Sequence, residues 1–549
     1  MRKTCISLFF LLTLLSPLSA AIVKGTGVLE TLTHIPSTST SLETLTVDSG
    51  KSTIDLLEHA PKPMKITCLT IGTRGDVQPY IALCQRLNTL GHTCTIATHK
   101  NFEESIRSCG IGFAEVKGDP RELIKHCIKY GKSSIIKIQQ YQYEVAYVHR
   151  GTGASSIRFW YYGLTQFGRW FDELLESSWE ACKGSELLIE SPSAMVGIHI
   201  AQSLKIPYFR AFTMPWTPNG AYAHAMMGTT HDLGRWVNKL SYKVFDESLW
   251  LAAGRRINQW RVETLNLERT TLAQLELEKV PFLYNFSPSV VPKAKEWDDL
   301  THVTGYWFVS PTVEKNQESL EQAIKNAKSQ NKKIIVPDPS AMTEAIIGAV
   351  DKAKSFAIVS GGWTSQHAQD GAQAAHAAQS LREKFGQHPD LIYYVDSVAH
   401  DWLFPKIDGA LHHGGAGTTA ASLRAGIPTI IKPFFGAQRV QRLGVGTYIK
   451  TLQEEDILEG ILETYKAETI AKAKALAIKI RNENGVDTAI RAIYDHLHSL
   501  EKVKEHTIMS KQMEKHEAAG VWFRLSTLTR LYLQNALAYA NLKRVIEDW

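Results

Sequence analysis

Leu411-His412-His413-Gly414-Gly415-Ala416-Gly417-Thr418-Thr419 carries a short apolar strand straight into a glycine turn that opens a helix. Ile407-Asp408-Gly409-Ala410-Leu411 reads as the buried strand, and Thr418-Thr419-Ala420-Ala421-Ser422-Leu423-Arg424 as the helix after it. Glycines let the backbone approach a ligand closely, and the first-turn N–H groups of a helix lack intrahelical partners, so a diphosphate there gains hydrogen bonds and dipole stabilisation. His413 sits at the strand end, facing the same anion. Taken alone, the run also fits a tight strand-to-helix turn with buried histidines, because a lone glycine-rich turn is weak evidence.

Outward from this turn the chain has a βαβ rhythm. Ile66 to Ile71 reads as strand, Pro79 to Leu90 as helix, Cys94 to Thr98 as strand and Phe102 to Cys109 as helix, with further strands at Leu187 to Glu190 and Ile206 to Phe212. Arg158 to Trp179 and Tyr222 to Leu265 are helical in period and dense in aromatics. The rhythm restarts near Val303, with strands at Phe356 to Ser360, Leu391 to Val395, Gly409 to Leu411 and Pro428 to Ile431. Alternating strands and helices predict two parallel-sheet, Rossmann-like α/β halves facing a central cleft, with ligands at the carboxyl ends of the strands. The expected divisions are a signal-like or anchor segment over 1–21, a flexible linker over 22–62, α/β domains over 63–300 and 301–498, and a helical tail over 499–549.

A chain of 549 residues exceeds one ordinary core. A net charge of +6 with no basic block interleaved with aromatics does not imply a nucleic-acid partner, and none is expected. Seven cysteines lie in the first third without a close zinc-type pair, which predicts buried free thiols. Arg2-Lys3, the apolar run from Cys5 to Leu15 and the small residues Ser19 and Ala21 fit a signal cleaved after Ala21 or a retained anchor. No other stretch is long and apolar enough to span a bilayer. Asn285-Phe286-Ser287 fits a glycosylation acceptor, although Pro288 follows and the setting reads as buried.

Three more stretches combine with the glycine turn: Gly72-Thr73-Arg74-Gly75-Asp76-Val77-Gln78-Pro79, Val303-Thr304-Gly305-Tyr306-Trp307-Phe308 and His400-Asp401-Trp402-Leu403-Phe404-Pro405. Together with Phe159 to Phe167, Thr213-Met214-Pro215-Trp216-Thr217, Pro281 to Pro292 and Val336-Pro337-Asp338-Pro339, they resemble the UDP-glucose:sterol glucosyltransferases over about Lys65 to His496. The resemblance implies a GT-B fold, inverting transfer of glucose from UDP-glucose as co-substrate, a sterol acceptor, and work at the cytosolic side of membranes. A cleaved signal would instead place the chain in the secretory lumen.

Inversion at an acetal carbon needs a base, stabilisation of the departing diphosphate, a hold on the sugar and an apolar acceptor slot. Asp76, at the carboxyl end of the first strand, is the base that the resemblance implies; by residue type alone it is a helix cap. Thr73, Arg74, His413, Ala416, Gly417 and Thr418 would surround the diphosphate. The chain has no Asp-x-Asp pair of the kind that holds a divalent cation, so helix dipole and basic side chains carry this stabilisation without a metal. The resemblance sets Trp363 and Val398 at the uridine and Gln438 at the sugar, although Trp363 alone also reads as core. Phe159, Trp160 and Phe167, with Pro215 and Trp216, would form the acceptor slot or ordinary core.

Departures from the family fall on the donor site. Relatives carry a strand and a Gly-Phe-Gly-Ser turn before the Val-Pro-Asp-Pro stretch, whereas here Asn331-Lys332-Lys333-Ile334-Ile335 runs directly into Val336, so a central strand is expected to be lost and the sheet opened. Ala437 takes the place of the family's sugar-binding aspartate, a loss of charged hydrogen bonds worth about 1.5–3 kcal/mol each. An impaired relative and a sequence from which short coding segments were dropped both fit these cuts. The functional expectations are therefore a sterol 3-beta-glucosyltransferase, an inactive sterol- or lipid-binding relative, or a UDP-glycosyltransferase for another lipophilic acceptor.

Overall fold

The computed structural model describes residues 55–118, 157–225, 234–309, 317–337, 343–360, 371–396, 398–431, 435–449 and 451–518; side chains at 157–167, 343, 371–378, 435 and 503–518 lie outside that description. Both of its sheets belong to one compact unit, Ser49–Trp549.

The first sheet is parallel and seven-stranded, in the order β3-β2-β1-β4-β5-β6-β7. Its strands are β1 Lys65–Leu69, β2 Thr93–Thr98, β3 Gly112–Glu115, β4 Leu187–Glu190, β5 Tyr208–Phe212, β6 Phe282–Tyr284 and β7 Thr301–Val303. The second has six strands in the order β10-β9-β8-β11-β12-β13: β8 Ile334–Pro337, β9 Phe356–Ser360, β10 Ile392–Val395, β11 Gly409–His412, β12 Thr429–Ile431 and β13 Gly446–Tyr448. Alternation decides which side chain enters which layer. Ile334, Val336, Phe356 and Ile358 pack on one face of the second sheet, and Ile335, Ala357 and Val359 on the other.

Helix α1, Arg74–Thr89, begins five residues before the expected Pro79, because Asp76 caps it back to Thr73. Val77, Tyr80, Cys84 and Leu87 form its buried stripe, and Leu90 with Gly91 at φ +92° ends it. Helices α2, Ile157–Cys182, and α3, Arg235–Glu263, cover the opposite face of the first sheet. The helix expected from Tyr222 starts only at Arg235, since Asn219 ties Ala221 and Tyr222 into a turn through its side-chain oxygen. Cys68, Cys84, Cys94 and Cys182 are buried free thiols.

Several expected boundaries shift. Leu56 is 1% exposed in the core beneath α1, so the folded unit begins inside the segment expected as linker to 62. β7 pairs with β6, which carries the first sheet past the division expected at 300. Helix α6, Gly485–Ala518, is continuous through the expected tail boundary at 499 and returns to the first half, where Ala489, Ile490, Ile493 and Tyr494 join the α1 core. Arg86 reaches Asp487 at 2.7 Å, and the His92 ring meets the Tyr494 hydroxyl at 2.7 Å.

The expected open sheet is also corrected. β8 pairs with both β9 and β11, so Ile334–Pro337 fills the central slot with the residues that follow the missing segment.

Candidate active site

Two helix starts meet between the sheets. The ladder of β11 ends at His412, and helix α4, Ala416–Ala425, follows after a turn in which Gly414 adopts φ +89°. The His413 ring folds back over Gly415, where a Cβ would stand 2.5 Å from Nε2, so any larger residue there would push the ring aside. A Cβ at Gly417 would lie 3.9 Å from the Cα of Gly75 in the first turn of α1. The N-terminal end of α4 therefore stands against the turn that holds Thr73, Arg74 and Asp76. Two positive helix ends converge on one small volume, an arrangement that favours an anion.

Asp76 is 6% exposed, and its Oδ2 accepts from the Thr73 N–H at 2.8 Å and the Thr73 hydroxyl at 3.0 Å. The capping geometry is thus present, with the carboxylate held on Thr73 at the start of α1, next to the Gly75 that meets Gly417. Arg74 is exposed at the first position of α1. Glu190, the other acid at a strand's carboxyl end beside β1, is fully buried. Its carboxylate accepts from the Val196 N–H at 2.8 Å, the Gly197 N–H at 2.6 Å and the Tyr208 hydroxyl, and burial holds its pKa above the usual range. Saturation by these donors makes Glu190 a structural acid, and leaves Asp76 as the carboxylate on the turn.

At the carboxyl ends of β8, β9 and β11 a pocket is lined by Pro337, Ser360, His400, Phe404, His413 and Thr418. The His400 and Phe404 rings stack at 4.6 Å. Neither Ser360 nor His400 was singled out as a site residue from sequence, although the strand-end rule points directly at Ser360. Val398 is 8% exposed and packs with Leu403 and Phe404, so its side chain belongs to the core under this pocket. Trp363 lies outside the described residues.

Helix α5, Phe435–Leu443, starts beside the glycine turn: a Cβ at Gly436 would be 3.5 Å from the Gly414 carbonyl oxygen. Gln438 is half-buried on α5. Ala437 is 2% exposed and sits in an apolar cluster with Val440, Val445, Phe286 and Val290 that joins the two halves. The position expected to face the sugar thus faces a core.

On the other side of the cleft, Pro215 is buried and the Trp216 ring is half-buried against Phe212, His224 and Phe245 at 5.0, 4.7 and 5.2 Å. The Tyr284 hydroxyl fixes this loop by accepting from the Trp216 and Thr217 N–H groups at 2.8 and 2.7 Å. His224, missed from sequence, stacks on Phe245 at 4.1 Å, and burial lowers its pKa to about 3. Phe159, Trp160 and Phe167 fall on the first turns of α2, with their side chains outside the described residues. Asn285 is 3% exposed at the end of β6, which withholds its acceptor triplet from the surface.

Comparison with known proteins bears on the fold and the family. Residues 66–152 match the glycosyltransferase family 28 N-terminal domain, and residues 367–498 the erythromycin biosynthesis protein CIII-like C-terminal domain. A sterol 3-beta-glucosyltransferase of Cryptococcus neoformans is 44% identical over 80% of this chain and 27% of its own length; one of Neurospora crassa is 46% identical over 79% and 27%. The chain spans about a quarter to a third of the length of such curated relatives, 27% to 31%. Among solved structures, the glycotransferase of kitacinnamycin has a TM-score of 0.53 at 15% identity, covering 79% of this chain and 99% of that one. The calicheamicin glycosyltransferase gives 0.52 at 14%, covering 80% and 99%. These structures share the two-sheet GT-B fold. With that fold, both domain matches and relatives of this identity, the chain belongs to the sterol 3-beta-glucosyltransferase family.

Proposed function

We propose that this chain transfers glucose, with inversion, from UDP-glucose to the 3-hydroxyl of a sterol, giving a sterol 3-beta-glucoside. The observation that carries the reading is the apposition of Gly75 and Gly417, which brings the Asp76 turn to the amino end of α4. In this reading Asp76 takes the acceptor proton as the C–O bond forms. The Thr73 hydroxyl and N–H help to hold its carboxylate in place. The leaving diphosphate is stabilised by the N–H groups of Ala416, Gly417 and Thr418, by His413 and by Arg74, so that no metal or other cofactor is needed. The acceptor lies along Trp216, and the uridine in the pocket lined by Ser360, His400 and Phe404. The enzyme works at a membrane surface, on the cytoplasmic face; among the described residues no helix is long and apolar enough to cross a bilayer.

The test incubates purified chain with UDP-glucose and a sterol in vesicles, beside Asp76→Asn. Glucoside from the native chain and none from the variant is expected; equal product from both removes Asp76 as the base. A second reading, a sterol- or lipid-binding relative without transfer, is favoured by Ala437 facing an apolar cluster where a sugar ligand was expected. Sterol binding with no UDP-glucose binding by calorimetry would select it.

A further inference from the structure

We propose that His412 is a positioning residue, which ties back the first amide of the glycine turn so that the next amides present themselves to a diphosphate. His412 is the last residue of β11 and is 4% exposed. Its Nδ1 accepts from the Gly414 N–H at 3.1 Å, and its Nε2 lies 2.7 Å from Thr429 Oγ1 on the neighbouring strand. A ring nitrogen that accepts carries no proton, so in the neutral ring Nε2 holds the hydrogen and donates it to Thr429. The Thr429 hydroxyl then passes its own hydrogen on to the Ala410 carbonyl, at 3.4 Å. The relay has one direction, from turn amide through imidazole and hydroxyl to sheet carbonyl, and it fixes the tautomer.

The Gly414 bond spans residue i to i+2, the geometry by which Asn and Asp side chains close a turn on their own backbone. It acts where Gly414 adopts φ +89° and the chain has to swing from strand to helix within three residues. With that amide tied to the sheet, the N–H groups of Ala416, Gly417 and Thr418 are the ones left at the helix start, opposite Gly75. His413, the adjacent residue, and His412 both border the pocket, His413 half-buried and His412 buried with both ring nitrogens engaged by the Gly414 N–H and Thr429. The proposal rests on reading this turn as the diphosphate site.

The experiment measures UDP by calorimetry and uridine by saturation-transfer NMR on the full chain, for the native protein, His412→Ala, His412→Asn and Thr429→Val, with melting curves for each. Asn restores an acceptor at i+2, and Val keeps the shape of Thr429 without its hydroxyl. His412→Ala should weaken UDP about tenfold, the equivalent of one lost hydrogen bond, and leave uridine unchanged. His412→Asn should recover most of that loss. Unchanged UDP affinity in His412→Ala, equal losses for UDP and uridine, or an Asn variant no better than Ala would each overturn the assignment. Where His412→Ala does not fold, Thr429→Val carries the test: UDP weakened several-fold with uridine unchanged supports the relay, and equal effects on both sink it. A native chain that binds uridine but not UDP removes the diphosphate reading itself, whereas native UDP binding with indifferent variants removes only His412.

Discussion

One carboxylate oxygen of Asp76 takes both the N–H and the hydroxyl of Thr73, so a blunt substitution disturbs helix and chemistry together. Asparagine separates them, because its carbonyl still accepts while it has no basicity. Asp76→Asn is expected to abolish transfer with little change in melting temperature. Asp76→Ala should abolish transfer and also cost about 1 kcal/mol of stability, read from denaturant midpoints. At the aromatic cluster, His224 is neutral when folded, with its pKa lowered by burial to about 3 from 6.5. The unfolded chain then binds the extra proton, so stability falls as the pH drops below 6.5, by about 1.4 kcal/mol per pH unit for this group. Buried His199, also lowered to about 3, acts in the same sense. Asp246, raised to about 6 by burial, opposes it between 3.8 and 6. His224→Phe should flatten the fall in melting temperature between pH 6.5 and 5; an unaltered slope would show that the ring is not neutral through burial. His224 was hidden in the sequence because Tyr222-Ala223-His224-Ala225 read as the start of a long helix, whereas Asn219 holds Ala221 and Tyr222 in a turn. Gly417 was legible because a helix start, a glycine and a strand end fall within a few residues.

Strands with continuous apolar runs, such as Leu187–Glu190 and Phe356–Ser360, were legible to the residue. Elements whose boundaries depend on a cap or a cross-chain partner were not. α1 was read from its proline, though the Thr73–Asp76 cap sets its true start. The central slot of the second sheet was read as vacant, since a chain comparison counts missing residues while a sheet needs only apolar residues of the right period. Ile334-Ile335-Val336 supplies them. Because β8 is flanked on both sides, the Ile335 and Val336 amides should be among the slowest in the second half to exchange with deuterium. Fast exchange there would show an open sheet. Ala437 gives a second expectation at this scale. Restoring a carboxylate as Ala437→Asp would bury it among Val440, Val445 and Phe286, where an unpaired charge costs about 3–5 kcal/mol. The variant should lose stability without gaining donor affinity; tighter UDP-glucose binding at native stability would place this residue at the sugar after all.

At the scale of the molecule, the two halves are held by the apolar cluster around Ala437 and by the return of α6 to α1. Arg439 adds a bond from α5 to the Val290 carbonyl at 2.7 Å. Arg86→Met should cost about 2 kcal/mol, because the Asp487 side chain, 9% exposed, loses its guanidinium. Urea unfolding of the variant against the native chain checks the figure; no loss would show that the apolar contacts of α6 suffice alone.

The return of α6 also fixes an order of events during synthesis. Arg86 and Asp487 are 401 positions apart, and His92 and Tyr494 are 402 apart, so the core that the earliest strands begin cannot close until nearly all of the folded region has left the ribosome. At about 5–20 residues per second, the apolar underside of α1 waits some tens of seconds for its cover. During that interval Val77, Tyr80 and Leu87 are a surface for a chaperone, and a nascent chain arrested before Gly485 should remain bound to one.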